Sequence, residues 1–307
     1  MPLRIVFMGT AELASASLRA LLASPDFIVA AVVTQPDRRA GRDLKPQASP
    51  VKNIAVESSL PVFQPEKARD PEFIPQLAAL APDLIVVAAY GQILPQSILD
   101  LPRFGCVNVH ASLLPKYRGA APIQWAILNG DPETGVTIMK ISAGLDAGDI
   151  LTQEATAIGP EETTGELHHR LALLGAQLLV RTLPGYTAGT IPPTPQDNAA
   201  ATHARKITKE DGRIDWTLPA AALRNRIRAF TPWPGAYADL TIRDKARLVK
   251  FWRATVEPVQ GHPGQILRAD RSGIVIACGS DALRMEQLQI EGGRKMTAAE
   301  FLSGHPI

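Results

Sequence analysis

The chain has 307 residues, 46% of them hydrophobic and 20% charged, with a formal net charge of +2. That is material for about two domain cores and excludes an intrinsically disordered polymer. Its longest wholly apolar runs, Phe27–Val33 and 84–90, have seven residues each, whereas a membrane-spanning helix needs about 20.

Residues 1–8 carry too short an apolar stretch for a secretory leader. Residues 3–8 instead form an apolar run without polar alternation, which predicts a strand buried on both faces. Gly9 and Thr10 turn the chain, and Leu13, Leu18, Leu21 and Leu22 then recur at helical spacing. A second buried strand is predicted over 28–34. A long polar segment with several basic side chains follows over 35–50, and Ser49-Pro50 opens the next helix with Pro in its first turn. A helix over 73–80 leads to strands over 83–89, 106–110, 136–141 and 150–156. A long helix over 163–183 places Leu167, Leu171, Leu174, Leu178 and Leu179 on one face. This alternation predicts a Rossmann-like α/β fold, a doubly wound, mostly parallel sheet whose ligands bind beyond the carboxyl ends of the strands.

Residues 184–204 are rich in Pro, Gly and Thr and read as a linker between a first domain, 1–183, and a second, smaller one, 205–307. Short alternating stretches over 236–242, 247–256 and 273–278 predict a small antiparallel β-barrel or sandwich there. The halves differ in charge. Residues 1–202 hold 15 basic and 19 acidic side chains, and residues 203–307 hold 17 and 11, a net of +6. That excess fits an anionic partner, nucleic acid above all, and equally an ordinary solvated surface. Cys106 and Cys278 are the only cysteines, which leaves no disulfide framework and no cysteine zinc site and points to a reducing cytoplasm.

No G-x-G-x-x-G or phosphate-binding loop is present, so Gly9 reads as a tight turn from strand to helix. The chemistry concentrates in 104–150. Strand alternation puts Asn108 and His110 on one face at a strand end, where polar groups on an apolar strand are costly unless satisfied. Asp146 lies in the Gly-rich turn GLDAGD, which can bring its carboxylate near a neighbouring strand end. An Asn amide donates a hydrogen bond, a His shuttles a proton near neutral pH and an Asp orients the ring. No Ser or Cys nucleophile is demanded, so direct transfer to an incoming nucleophile fits. The alternative is a hydrogen-bonded core histidine beside a carboxylate that caps its own turn.

VNVHASLLPKYRGAAPI at 107–123, followed by GVTIMKISAGLDAGDIL at 135–151, resembles the 10-formyltetrahydrofolate-dependent formyltransferases. The resemblance implies an active site of Asn108, His110 and Asp146, with 10-formyltetrahydrofolate as co-substrate and no metal. It implies tetrahydrofolate binding by Ser112, Leu113, Leu114 and Pro115. The stretch DLIVVAAYGQILP at 83–95 is similar to the family's pterin-pocket segment, which implicates Val87, Ala89, Tyr90, Gly91 and Ile93.

Three further stretches resemble the branch of that family whose acceptor is initiator methionyl-tRNA: TQPDRRAGRDLKPQASPVK at 34–52, KITKEDGRIDW at 206–216 and NRIRAFTPWPGAY at 225–237. They imply an OB-like β-barrel as the second domain and tRNA contacts by Arg38, Arg42, Lys45, Lys206 and Arg226. The chain departs from the pattern in places. Ala11-Glu12-Leu13 stands where Pro-Asp-Phe is usual, Arg39 where Pro is usual, and Asp43, which lowers the loop's charge, where Gly is usual. The sequence also ends sooner than in most members, so a weaker hold on tRNA is expected. Two rivals stay open. An enzyme formylating a small amine such as a nucleotide sugar, or acting on water, keeps the Asn-His-Asp set without needing the basic second domain. A non-catalytic RNA-binding protein on the same scaffold does not need the set at all.

Overall fold

The computed structural model describes residues 1–40, 45–305 and 307. The chain begins with β1 (Leu3–Gly9), α1 (Glu12–Ala23), β2 (Phe27–Val33), β3 (Arg38–Ala40), β4 (Lys45–Gln47), α2 (Pro50–Glu57) and β5 (Val62–Phe63). It continues through α3 (Phe73–Ala79), β6 (Leu84–Ala88), α4 (Gln96–Leu99), β7 (Cys106–His110), β8 (Arg118–Gly119), α5 (Pro122–Leu128), β9 (Glu133–Lys140), β10 (Ile150–Ala157) and α6 (Thr164–Thr187). The remainder holds β11 (His203–Ala204), α7 (Ala220–Ala229), β12 (Ala236–Ile242), β13 (Lys245–Glu257), β14 (Ile266–Asp270), β15 (Gly273–Ala277), β16 (Ala282–Ile290), β17 (Met296–Thr297) and α8 (Ala298–Gly304). Among the described residues, no helix is long and apolar enough to cross a membrane.

Two compact units form. The first comprises 1–119, 134–156 and 168–203, and the second 120–133, 157–167 and 204–307. Neither is one stretch of chain. Residues 157–167 fall to the second unit because α7 holds them: Arg228 Nη1 donates to the carbonyls of Gly159 and Glu162, each at 3.0 Å, and Thr164 Oγ1 donates to the Ala229 carbonyl at 2.7 Å.

The first unit is built on a seven-stranded sheet in the order β10-β9-β7-β6-β1-β2-β5. The five strands from β5 to β7 run parallel, and β9 lies antiparallel to β7. Helices cover both faces, so the centre of β1, Ile5 to Met8, is wholly buried. The Ser49 hydroxyl caps α2 by accepting from the Lys52 N–H at 3.0 Å, with Pro50 in the first turn. From β1 the chain winds outward to β2 and β5, then returns to β6 and β7 on the other side. The strand order therefore reverses between β1 and β6, where an open α/β sheet leaves a crevice at its carboxyl edge. Side chains stitch the loops of that edge together. Thr10 Oγ1 and Gln35 Nε2 donate to the Tyr90 carbonyl at 3.1 and 2.8 Å, and Gln64 Nε2 donates to the Gln35 carbonyl at 3.0 Å.

Two segments differ from expectation. The polar stretch 35–50 contains an antiparallel hairpin that pairs Arg38 with Gln47 and Ala40 with Lys45. The segment 184–204 is tied down rather than free. Helix α6 continues through Pro184 to Thr187, residues 150 and 194 exchange backbone hydrogen bonds at 2.8 Å, and Gln196 is bonded on all sides, as described below.

In the second unit β12-β13-β16-β15-β14 form an antiparallel sheet, with β17 added beside β16. Irregular pairing between Phe251 and Ala254 bends β13, and the sheet curls into a half-barrel. Alternation fills its inside with Ala236, Ala238, Leu240 and Ile242 from β12 and Val249 and Phe251 from β13. These pack with Leu223 and Ile227 of α7 and Phe301 of α8. A reciprocal capping box between Thr297 and Glu300 starts α8.

In the same unit the Asp211 carboxylate accepts from both terminal nitrogens of Arg205 and from the Thr208 N–H at 2.8 Å. The Arg205 guanidinium holds the Asp211 carboxyl well below the ordinary carboxylate range. A depressed folded-state pKa gives stability that is present above the unfolded value, about 3.9 for Asp, and lost as pH falls through the folded one. Asp211→Asn is therefore expected to flatten the loss of stability below about pH 4. Denaturant unfolding of both proteins across that range measures it, and identical acid slopes contradict it.

Candidate active site

Asn108 and His110 are the third and fifth residues of β7, at the carboxyl edge beside the strand-order reversal. Asn108 is in register with Val87 of β6 and Met139 of β9, and His110 with Thr137 of β9. The Asn108 side chain is half-buried and makes no hydrogen bond among the described residues, so its amide is available as a donor. His110 is 6% exposed and its Nε2 lies 3.0 Å from the Tyr117 carbonyl. A carbonyl oxygen only accepts, so Nε2 carries a proton and Nδ1 is the nitrogen left for chemistry. Nδ1 faces Asp146 Oδ2 at 3.7 Å, close enough for electrostatic pairing and too long for a hydrogen bond.

Asp146 reaches this place from the turn after β9. Its φ of +46° is left-handed, a conformation Asp tolerates better than most residues. Gly148, two residues on, is required because a Cβ there would collide with the Lys140 carbonyl. Asp146 Oδ2 accepts from the Gly119 N–H at 2.8 Å. The sequence-predicted trio is thus brought together.

The 112–115 segment is held by groups that the sequence did not single out. Thr137 Oγ1 donates to the Ser112 carbonyl at 2.6 Å and accepts from the Leu114 N–H at 3.1 Å. Gln153 Nε2 donates to Thr137 Oγ1 at 2.9 Å and to the Leu114 carbonyl at 2.8 Å. The Ser112 hydroxyl donates to the Lys116 carbonyl at 2.7 Å and is fully buried, as is Leu114 nearly. Their side chains support the segment, while Leu113 and Pro115 are half-exposed.

The expected pterin-pocket residues divide in the same way. Val87 and Tyr90 are buried in a core cluster with Val6, Met8, Val33, Phe73 and Leu77. Burial pushes the Tyr90 hydroxyl up to about 12, which keeps it neutral. Ala89, Gly91 and Ile93 are exposed, and Ala89 and Gly91 take φ of +43° and +82°. Ile93, 86% exposed, offers an unmet apolar surface beside the strand-order reversal.

Of the residues expected at tRNA, Arg38 is exposed on β3, Lys45 lies on β4, and Arg42 lies outside the described residues. In the second unit Lys206 is exposed. Arg226 is not free: its Nη1 donates to the Asp211 carbonyl at 2.6 Å, its guanidinium lies 5.7 Å from the Phe230 ring centre, and burial lowers its pKa. It acts as a brace within its unit. Among the described residues no group of three or more His, Cys, Asp or Glu side chains could hold a metal ion.

A mostly parallel sheet that presents an amide, an imidazole and a carboxylate at its carboxyl edge, with no Ser or Cys nucleophile among them, suits direct transfer of a group to an incoming nucleophile. Residues 3–183 match the formyl transferase family and residues 206–306 its C-terminal domain, and the chain belongs to that family. The fold agrees. The sugar 3N-formyltransferase WlaRD, solved in the presence of dTDP and 5-N-formyltetrahydrofolate, superposes with a TM-score of 0.66 at 17% identity, over 96% of this chain and all of the other. HypX from Aquifex aeolicus in complex with tetrahydrofolic acid gives 0.62 at 19% identity, over 98% of this chain and 47% of the other. Full-length relatives at 48–51% identity include methionyl-tRNA formyltransferases. That of Aromatoleum aromaticum is 51% identical over 308 aligned residues, covering all of this chain and 95% of the relative. That of Geobacter sulfurreducens is 48% identical over 302, covering 98% and 94%.

The division of the 83–95 segment is testable without any ligand. Val87→Asp puts a charge into the core and is expected to unfold the first unit. Ile93→Asp is expected to shift stability by no more than about 0.5 kcal/mol, as for a surface site. Urea unfolding of both variants distinguishes them, and equal destabilisation contradicts the assignment.

Proposed function

We propose that the protein transfers the formyl group of 10-formyltetrahydrofolate to the amino group of methionyl initiator tRNA, in the cytoplasm. The observation that carries this is the near-50% identity to methionyl-tRNA formyltransferases over the whole of both units, with Asn108, His110 and Asp146 assembled at the carboxyl edge. The edge suits a flat folate ring. It combines the exposed Ile93 with backbone opened by the left-handed Ala89 and Gly91, beside the unpaired Asn108 amide. The folate donor supplies a formyl carbon activated toward an amine.

The chain's own groups supply the rest. The attacking amine must be neutral, which its α-amino pKa of about 7.7–8 permits near physiological pH. Asn108 Nδ2 donates to the oxygen that gains negative charge. The proton released by the amine passes to the pair formed by Asp146 and His110 Nδ1, because Nε2 is held by the Tyr117 carbonyl, and is handed on to N10 of the donor as the bond between N10 and the formyl carbon breaks, so that tetrahydrofolate leaves as a neutral amine. The exposed cations Arg38 and Lys206 suit phosphate contacts. The small-amine rival is weaker: its support is the likeness to sugar formyltransferases at 16–19% identity, which reaches the fold and not the acceptor.

A formylation assay with the folate donor, offering methionyl initiator tRNA and an amino-sugar nucleotide in parallel, is expected to give product with the tRNA alone. Asn108→Ala is expected to lower kcat about 10²–10³-fold, the cost of one oxyanion donor, and His110→Ala by a comparable or larger factor. Preference for the sugar nucleotide refutes the acceptor, and near-normal kcat in either folded variant refutes the assigned chemistry.

A further inference from the structure

The Asp146–His110 contact leaves open what keeps Asp146 in place. Residues 142–145 of its loop are exposed, and the imidazole is too distant to anchor the carboxylate. The anchor comes from the segment that reads in the sequence as a linker. Gln196 Nε2 donates to the Asp146 carbonyl at 2.9 Å and to the Gly148 carbonyl at 2.7 Å, so both hydrogens of the amide grip the loop on either side of Ala147. Gln196 Oε1 accepts from Arg118 Nε at 3.0 Å and Nη2 at 2.8 Å, and the same Nη2 donates to Asn198 Oδ1 at 2.8 Å. Arg118 is 7% exposed, and Gln196 is the one residue of 192–200 that is not exposed.

These bonds close a ring. Arg118 is followed by Gly119, whose N–H binds Asp146 Oδ2. The Asp146 carbonyl binds Gln196, and Gln196 returns to Arg118. All four hydrogen-bonding positions of the Gln196 amide are filled, with the cation on the oxygen side and two carbonyls on the nitrogen side. Only one orientation of the amide satisfies them, and the guanidinium polarises the amide so that its N–H groups donate more strongly.

We infer that Gln196, oriented by Arg118, is a positioning residue for Asp146 and sets the geometry in which Asp146 faces His110. The inference rests on the proposed role of Asp146. Gln196→Glu keeps an acceptor for Arg118 but turns a carboxylate oxygen toward two carbonyls, and Gln196→Met keeps the volume while removing every bond. A displacement of about 1 Å in a catalytic group costs on the order of 10²-fold. Both variants are therefore expected to lower kcat about 10–100-fold, with KM for donor and tRNA changed less than about threefold.

The test compares kcat, both KM values, thermal midpoints and pH–rate profiles for Gln196→Glu, Gln196→Met, Asp146→Asn and the double variant Asp146→Asn/Gln196→Met. Support consists of impaired kcat at unchanged KM, an altered pH–rate profile in the folded Gln196 variants, and a double variant no slower than Asp146→Asn alone. Normal kcat in the Gln196 variants beside an impaired Asp146→Asn overturns the inference and spares the role of Asp146. So do losses that multiply in the double variant. Full kcat in Asp146→Asn overturns the role of Asp146 and the inference with it. Should Gln196→Met fail to fold, Gln196→Glu against Asp146→Asn decides the question on the same criteria.

Discussion

At 3.7 Å the contact between His110 and Asp146 holds neither residue, and the site depends on each being fixed from behind. His110 is fixed by a carbonyl seven residues along the chain, and Asp146 by the backbone N–H of Gly119. A pair aligned by its surroundings keeps free the hydrogen-bonding capacity that a short mutual bond would have spent. Hydrogen bonds contribute only about 0.5–1.5 kcal/mol each between neutral groups, and about 1.5–3 kcal/mol where one partner is a charged group such as the Asp146 carboxylate. Their value here lies in direction, since several converge on one loop that would otherwise be held by little more than its own turn.

The sheet supplies the frame in which that alignment matters. Parallel strands buried on both faces end together at one edge, and the reversal between β1 and β6 keeps that edge open. Three side-chain amides and hydroxyls bind the loops there to one another's carbonyls, two of them to the Tyr90 carbonyl and the third to that of Gln35. The Tyr90 ring meanwhile lies in the core below. One residue thereby joins the hydrophobic interior to the hydrogen-bonded rim.

The longer strands and most helices of the first unit were legible because buried parallel strands are continuous apolar runs that stand out between polar turns, whereas the two- and three-residue strands β3, β4, β5 and β8 carry no such run. The trio was legible for a related reason: Asn108 and His110 break such a run, and GLDAGD is a turn of unusual composition. The family resemblance then assigned the roles. What stayed hidden lacked any local signal. Gln196 sits in a Pro-rich stretch with no apolar period, and its partners are 48 to 78 residues away. Val87 and Tyr90 carry the family's pocket motif, yet their side chains pack into a core cluster, Val87 from a strand buried along its whole length and Tyr90 from the loop that follows it. Arg226 looked like a free cation because sequence does not show that the Asp211 carbonyl and the Phe230 ring lie within its reach. Ser112 is similar: its hydroxyl closes a turn onto Lys116.

The division of the chain into interleaved units bears on how the protein is made. The polypeptide passes between the two units five times, and the second unit contains 120–133 and 157–167 as well as 204–307. A ribosome releases the chain from its amino end, so these early pieces emerge well before α7, the helix that later holds 157–167. For that interval their carbonyls are bonded to water, and in α5 the apolar side chains of Ile123 and Ile127 are without their final neighbours. Nascent chains of this kind are where chaperones bind. The order in which the sequence is interleaved thus makes completion of the second unit a late event, gated by synthesis of its last hundred residues.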